Sequence, residues 1–262
     1  MIALFVILGL IVGSFLNVVV YRLPLRQSLI SPASACPSCS TPIRSYDNIP
    51  VLSWLLLNGR CRSCHSKITI RYPIVEIGTG LFFGLVVWKF LLDDLLLTVA
   101  FLFLAALSVV LGLIDWDTHT LPDRVVLPSY LVGFVILGGS TVTSGNVAAL
   151  VRASVGMSAL WLLYLIVALL SSGGIGYGDV KFAGLIGLFL GYLGWGALVT
   201  GAFAAFILGG SYGLALVASR KASRKSGIPF GPWMLAGAWV GIFLGQPIVQ
   251  SYLSIFGLNT HA

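Results

Sequence analysis

Charge is what this chain has least of. Lys, Arg, Asp and Glu make up 9% of its 262 residues, where a soluble domain carries roughly 25%. So few charges cannot clothe a globular core, which excludes an ordinary water-soluble fold. Acidic side chains are the scarcest of all: there are eight, and Glu76 is the only glutamate among them. Cysteine occurs at four positions, Cys36, Cys39, Cys61 and Cys64, all within one short stretch. The first apolar run has no basic residue ahead of it and no small-residue cleavage site behind it, so it reads as a retained helix and not as a signal peptide. No internal repeat, low-complexity stretch or linker to a second globular domain is evident.

Apolar residues fill the space that charge leaves. They form 58% of the chain. A hydrocarbon layer of about 30 Å asks for roughly 20 apolar residues per helix. Eight such runs can be read: Ile2–Val20, Pro73–Leu91, Leu95–Ile114, Val125–Gly138, Val147–Leu170, Phe182–Gly194, Trp195–Ala218 and Trp233–Tyr252. The fourth and sixth are short for a full crossing. The 31 glycines suit helices that approach one another closely in lipid. The expected fold is an all-α polytopic membrane protein of about eight transmembrane helices, a single membrane domain over 1–262.

Lys and Arg mark cytoplasmic loops. With the N-terminus outside, segments 21–72, 115–124, 171–181 and 219–232 lie inside and hold all the basic residues except Lys89 and Arg152. The opposite orientation would export nearly all of them. The net charge of +7 is thus a matter of topology. The basic residues are dispersed over separate loops beside the spans, and a nucleic-acid partner is not expected. The run Arg220-Lys221-Ala222-Ser223-Arg224-Lys225 reads as an anchor at the membrane face, with attraction to anionic lipid as a by-product.

The aspartates fall where that orientation makes them informative. Asp93 and Asp94 occupy an outer turn. Asp115, Asp117 and Asp123 cluster at the inner end of the third span, within Ile114-Asp115-Trp116-Asp117-Thr118-His119-Thr120-Leu121-Pro122-Asp123. Asp179 lies on the same side, in Gly176-Tyr177-Gly178-Asp179-Val180-Lys181. Ionisable groups at membrane depth are costly and mark function. Two carboxylates in one site cannot both ionise, so one can take a proton from water while the other donates one. Gly176 and Gly178 leave the backbone free to bend and approach a substrate strand, and Pro122 should end any helix running through 115–121. Position alone does not rank Asp115 above Asp117, and any one of these acids taken singly would pass for a helix cap.

Cys36-Pro37-Ser38-Cys39 and Cys61-Arg62-Ser63-Cys64 are two C-x-x-C pairs with 21 residues between them. That is close to the spacing of a four-cysteine zinc site. Structural Zn bound by four thiolates would fold a loop too small for a core of its own. Two disulfides are the alternative, disfavoured in a reducing cytoplasm. Cys61-Arg62-Ser63-Cys64-His65 also fits the C-x-x-C-H haem pattern, but the first pair is followed by Ser40.

The two aspartate motifs, Asp115 with Leu121-Pro122-Asp123 and Gly176-Tyr177-Gly178-Asp179-Val180-Lys181, resemble those of the bacterial type IV prepilin peptidase family, GxGD-type aspartyl proteases. Gly13-Ser14-Phe15-Leu16-Asn17 with Tyr21-Arg22-Leu23-Pro24, Arg71-Tyr72-Pro73-Ile74-Val75-Glu76 and Ile228-Pro229-Phe230-Gly231-Pro232 extend the resemblance along nearly the whole chain. It implies that Asp115 and Asp179 are the catalytic pair, supported by Gly176, Gly178, Lys181, Asp117 and Asp123. It implies a cysteine-rich, zinc-binding cytoplasmic insertion at 21–72 and a protease core at 73–262. It implies prepilin or pseudopilin substrates, cut on the cytoplasmic side of the inner membrane. It also implies N-methylation of the new N-terminus with S-adenosylmethionine, although no glycine fingerprint of a soluble methyltransferase is present. A basic leader would be repelled by basic loops unless Asp117, Asp123 or Asp47 offsets them.

Other residues say less. Glu76 is expected either to orient substrate or cofactor or to pair with Arg71, and Asn17 to hydrogen-bond between helices. His119 reads as an interfacial loop residue and His261 as part of the tail. A transporter relaying protons through Asp115 and Asp179, and a non-enzymatic assembly factor docking through the cysteine loop, are the competing readings. Both aspartates near one face, rather than at mid-membrane, argue against the transporter.

Overall fold

The computed structural model describes residues 1–91, 94–170, 176–220 and 229–255. Asp93, Lys221, Arg224, Lys225, Ile228 and His261 lie outside them. The described residues are almost entirely helical, without strands beyond two isolated bridges. The long helices are α1 (Ile2–Arg22), α3 (Arg71–Phe90), α4 (Leu95–Thr118), α5 (Asp123–Ser144), α6 (Val147–Leu170), α7 (Tyr177–Leu193), α8 (Trp195–Ala218) and α9 (Gly231–Ile255). A short helix α2 (Leu52–Leu56) stands in the loop between α1 and α3. Seven of the long helices are long and apolar enough to cross a membrane. The eighth, α7, has only 17 residues.

The two short runs of the sequence fare differently. The fourth extends to 22 residues, because the polar Thr141, Thr143 and Ser144 return their hydroxyls to carbonyls of their own helix and Pro128 is tolerated inside it. The sixth, α7, stays short and is buried from Phe182 to Tyr192. A helix apolar all round belongs in an interior, and α5, α6, α8 and α9 pack against it.

The chain divides into two compact units, Met1–Val110 and Leu111–Ala262. In the first, α1 and α3 meet through small residues. A Cβ added to Gly9 would lie 2.8 Å from the Gly80 Cα, and one on Gly13 would lie 2.9 Å from the Glu76 Cα. Asn17 Nδ2 donates to the Tyr72 carbonyl at 3.2 Å, the interhelical bond expected of it.

In the second unit, α8 and α9 close on a seam of matched small residues. Gly237, Gly241 and Gly245 face Ala205, Gly201 and Ala197, at four-residue intervals on both helices. Lipid supplies no hydrophobic drive between helices, so such close backbone contact is what dispersion has to work with. Large apolar side chains point outward instead: Val199, Phe203, Ile207 and Leu214 of α8 are all exposed, as a lipid-facing surface requires.

Gly241→Ala puts a Cβ 2.4 Å from the Ala197 carbonyl oxygen and should cost about 1–3 kcal/mol by forcing the seam apart. Gly138→Ala meets nothing within 4 Å and should be neutral or slightly stabilising. Thermal denaturation of the detergent-solubilised protein reads both. Equal effects would show that the seam does not govern stability.

Candidate active site and cysteine cluster

The two aspartate motifs meet at one end of the second unit. Helix α4 carries Asp115 on its last turn and stops at Thr118, whose hydroxyl bonds back to the Ile114 carbonyl. His119 follows in the left-handed region, φ 53°. The helix therefore ends before Pro122, which instead caps α5 in an extended conformation and hands over to Asp123. Asp115 is 4% exposed, while Asp117 is exposed. Two residues on a helix are about 200° apart around its axis, so only one of the pair can face the interior.

Asp115 Oδ2 accepts the Gly231 N–H at 2.9 Å. Gly231 is the first residue of α9, where backbone N–H groups lack intrahelical partners and favour an anion. A Cβ on Gly231 would stand 2.8 Å from that same oxygen, so the glycine is needed for the approach.

Asp179 sits in the first turn of α7. Its Oδ2 reaches back to accept the N–H of the N-capping Gly176 at 2.9 Å, half of a capping box. Gly178 faces Leu121, with room for a Cβ only 3.3 Å from the Leu121 Cβ. The leucine of the first motif therefore packs on the second glycine of the other. Asp115 and Asp179 thus stand on the two motifs that this packing brings together.

Lys181 ties the same turn to α5. Its ammonium lies 2.9 Å from Asp123 Oδ1 and 2.8 Å from Oδ2, and 5.9 Å above the Tyr177 ring. Asp123 is thereby paired within the second unit.

Tyrosines near these motifs escaped sequence reasoning. Tyr130 of α5 donates its hydroxyl to the Lys181 carbonyl. Tyr164 is buried in α6, beside Phe230, the residue before Gly231. Its ring contacts Phe206 and Phe230 at 5.1 and 6.1 Å between centroids. A tyrosine inside an apolar run carries no signal of its neighbours. Only Phe230 stood in a motif, and nothing there indicated what it touches.

In the first unit the four cysteines converge. All four Sγ atoms lie within 4.8 Å of one another, with Cys36 and Cys64 3.7 Å apart and Cys39 and Cys61 4.0 Å apart. Zn–S bonds of about 2.3 Å in a tetrahedron imply S···S edges of about 3.8 Å. Disulfide sulfurs would stand about 2.0 Å apart, and all four thiols are free. The cluster could hold zinc.

The two pairs form equivalent knuckles. The N–H of Ser40 bonds the Cys36 carbonyl and that of His65 the Cys61 carbonyl, at 2.8 and 3.0 Å. The Cys36 and Cys61 N–H groups bond the carbonyls of Thr41 and Ser66 at 3.0 and 2.9 Å. Ser40 and His65 both turn with φ 57°. His65 is thus a turn residue equivalent to a serine, which removes the special status it would have as a haem ligand. The Ser66 hydroxyl, then the backbone around Cys39 and Ser38, push the Cys36 thiol down to about 6, toward the thiolate that a metal needs.

Around the cluster, Arg62 grips Asp47 through Nε and Nη2 at 2.6–3.1 Å and holds its carboxyl below the usual range. Arg62 also lies over the Tyr46 ring at 5.5 Å. Glu76 Oε2 accepts the Val51 N–H at 2.7 Å.

Residues 7–90 match the bacterial peptidase A24 N-terminal domain, and residues 101–214 match the type IV leader peptidase family. A prepilin leader peptidase/N-methyltransferase of Pseudomonas putida is 36% identical, covering 98% of this chain and 95% of the relative. Proteins of the same name from Aeromonas salmonicida and Pseudomonas aeruginosa are 37% and 34% identical, covering 94% and 97% of this chain and 91% and 94% of their own. No solved structure matches the chain.

Elemental analysis of the purified protein should find about one zinc per chain, as four thiolates in one tetrahedron require. Cys39→Ser should lose most of it and expose segment 36–67 to limited proteolysis. A metal-free wild type with an intact loop would rule out the metal's structural role.

Proposed function

The chain belongs to the type IV leader peptidase family, and from that premise we propose that it removes the leader peptide of prepilins or pseudopilins and then methylates the amine that cleavage exposes. The packing of Leu121 on Gly178 carries the proteolytic half of this reading. It brings the two motifs to one place on one end of the helices.

Asp115 and Asp179 are the catalytic pair in this proposal. A water between them attacks the scissile carbonyl while the ionised carboxylate takes its proton. The protonated partner gives its proton to the carbonyl oxygen, and an exchange of roles releases the amine. The Gly231 and Gly176 N–H groups each hold one carboxylate oxygen and leave the other oxygen of each aspartate to the reaction. Gly176 and Gly178 form the turn, and Lys181 with Asp123 fixes it from α5. Asp117, exposed on the far side of α4, acts outside the chemistry.

The methyl donor is S-adenosylmethionine as a co-substrate, whose sulfonium gives up a methyl group to the new N-terminal amine. Segment 21–72 is the cysteine-rich insertion, folded by structural zinc, and 73–262 the protease core. The aspartates and the cysteines face the cytoplasm from the inner membrane, on the strength of the Lys and Arg distribution.

Incubating a prepilin with the solubilised enzyme, with and without S-adenosylmethionine, and weighing the product by mass spectrometry reads both activities. Asp115→Asn and Asp179→Asn should each lower cleavage by at least ~10²-fold, and Asp117→Asn should leave it near wild type. Full cleavage by either of the first two would remove that residue from the mechanism. For orientation, alkaline phosphatase fused after Ser144 should be active and after His119 inactive; the reverse pattern would invert the topology.

A further inference from the structure

The cysteine-bearing loop contains a segment that does not belong in water. Residues Ile49–Leu57 read Ile-Pro-Val-Leu-Ser-Trp-Leu-Leu-Leu, without a charge. Leu52, Leu55 and Leu56 of α2 are 57%, 57% and 81% exposed, and Ile49 is exposed beside them. An apolar patch of this kind on a loop marks contact with protein or lipid.

Its depth identifies which. The Val51 N–H bonds Glu76, which is five residues into α3 from Arg71, or about 8 Å along the axis at 1.5 Å per residue. Glu76 in turn lies level with Gly13 of α1, nine residues before Arg22 and about 14 Å from the end of that helix. Asn48 and Pro50 also line a cleft of about 320 Å3 with Ile11, Ser14, Phe15 and Val18, on the body of α1. Arg22 and Arg71, beside Tyr21 and Tyr72, mark where both helices leave the membrane. The loop therefore turns back below that level, alongside two spans.

Irregular backbone is tolerated at such depth only if its polar groups are satisfied by the protein. Here they are. Ile49 N–H bonds Ser53 Oγ at 3.1 Å, and Ser53 Oγ donates to the Tyr46 carbonyl at 2.9 Å. The Ser53 N–H bonds the Ile49 carbonyl. Trp54 Nε1 bonds the Ile68 carbonyl at 3.2 Å. Val51, with φ 62°, occupies a region that β-branched residues avoid, and the carboxylate of Glu76 secures the N–H of that turn.

We propose that Ile49–Leu57 is a re-entrant element, with Leu52, Leu55 and Leu56 among lipid acyl chains and Glu76 holding its turn at depth. The bilayer is the occupant because the patch is continuous with the lipid-facing side of spans, Phe15 of α1 and Ile77 of α3 being exposed as well. The cysteine knuckles then stand at the membrane surface on a base anchored within it. The only glutamate of the chain acquires a reason to be buried there.

The test uses the full chain in nanodiscs of phosphatidylethanolamine and phosphatidylglycerol. Benzoylphenylalanine is incorporated in separate proteins at Leu55, at Leu56 and, as a control, at the exposed Ser38 of the first knuckle. Irradiation should give phospholipid adducts at the two leucine positions, seen by mass spectrometry, and none at Ser38. Glu76→Leu should abolish the adduct at Leu56 while zinc content is unchanged. Equal adducts at all three positions, no adduct at the leucines, or crosslinks from them only to another protein would each overturn the proposal. None of these readings requires cleavage of a prepilin, so they stand apart from the fate of the proteolytic mechanism.

Discussion

A carboxylate buried in a membrane protein is cut off from bulk water, so the chain must supply a donor to hold it. Asp115 gets its donor from the N–H of Gly231, more than a hundred residues away. That single contact fixes the end of α4 against the start of α9, and much of the second unit follows from it. The donor must be backbone at a helix start, where N–H groups are unclaimed. The residue must be glycine, since a Cβ would occupy the place of the carboxylate oxygen. For α9 to begin there it must lie tightly along α8, which the seam of Gly237, Gly241 and Gly245 permits.

The same rule of internal satisfaction runs through the other polar residues at depth. Asp179 reaches the N–H of Gly176, Glu76 that of Val51, and Asn17 the Tyr72 carbonyl. Serine and threonine hydroxyls along the spans bond back to carbonyls one turn earlier. The side chains with formal charge cluster at helix ends and in loops. There the Lys181–Asp123 and Arg62–Asp47 pairs orient motifs more than they stabilise, since exposed ion pairs contribute little.

Function and architecture divide along these lines. The second unit supplies two carboxylates that share one end of a helical bundle, each held through one oxygen. The first supplies four thiols at the edge lengths of a zinc tetrahedron, carried on paired knuckles. Four thiols so placed could hold one zinc ion.

Several of these features were legible in the residues. Span positions follow from composition alone, because a bilayer selects for apolar length whatever the neighbours are. The two C-x-x-C pairs pointed to a cluster that could hold zinc, because four cysteines at that spacing suit one tetrahedral ion. The two aspartate motifs were visible as scarce acids on one side of the membrane. What the sequence could not decide was anything that depends on which face of a helix turns inward. It could not rank Asp115 over Asp117, since a period of 3.6 residues separates the two faces without saying which is buried. It could not give Glu76 its partner, place Tyr130 and Tyr164 at the site, or show that Ile49–Leu57 turns back along α1 and α3. Those are contacts between segments distant in the chain, created by helix packing, and only the tertiary structure holds them.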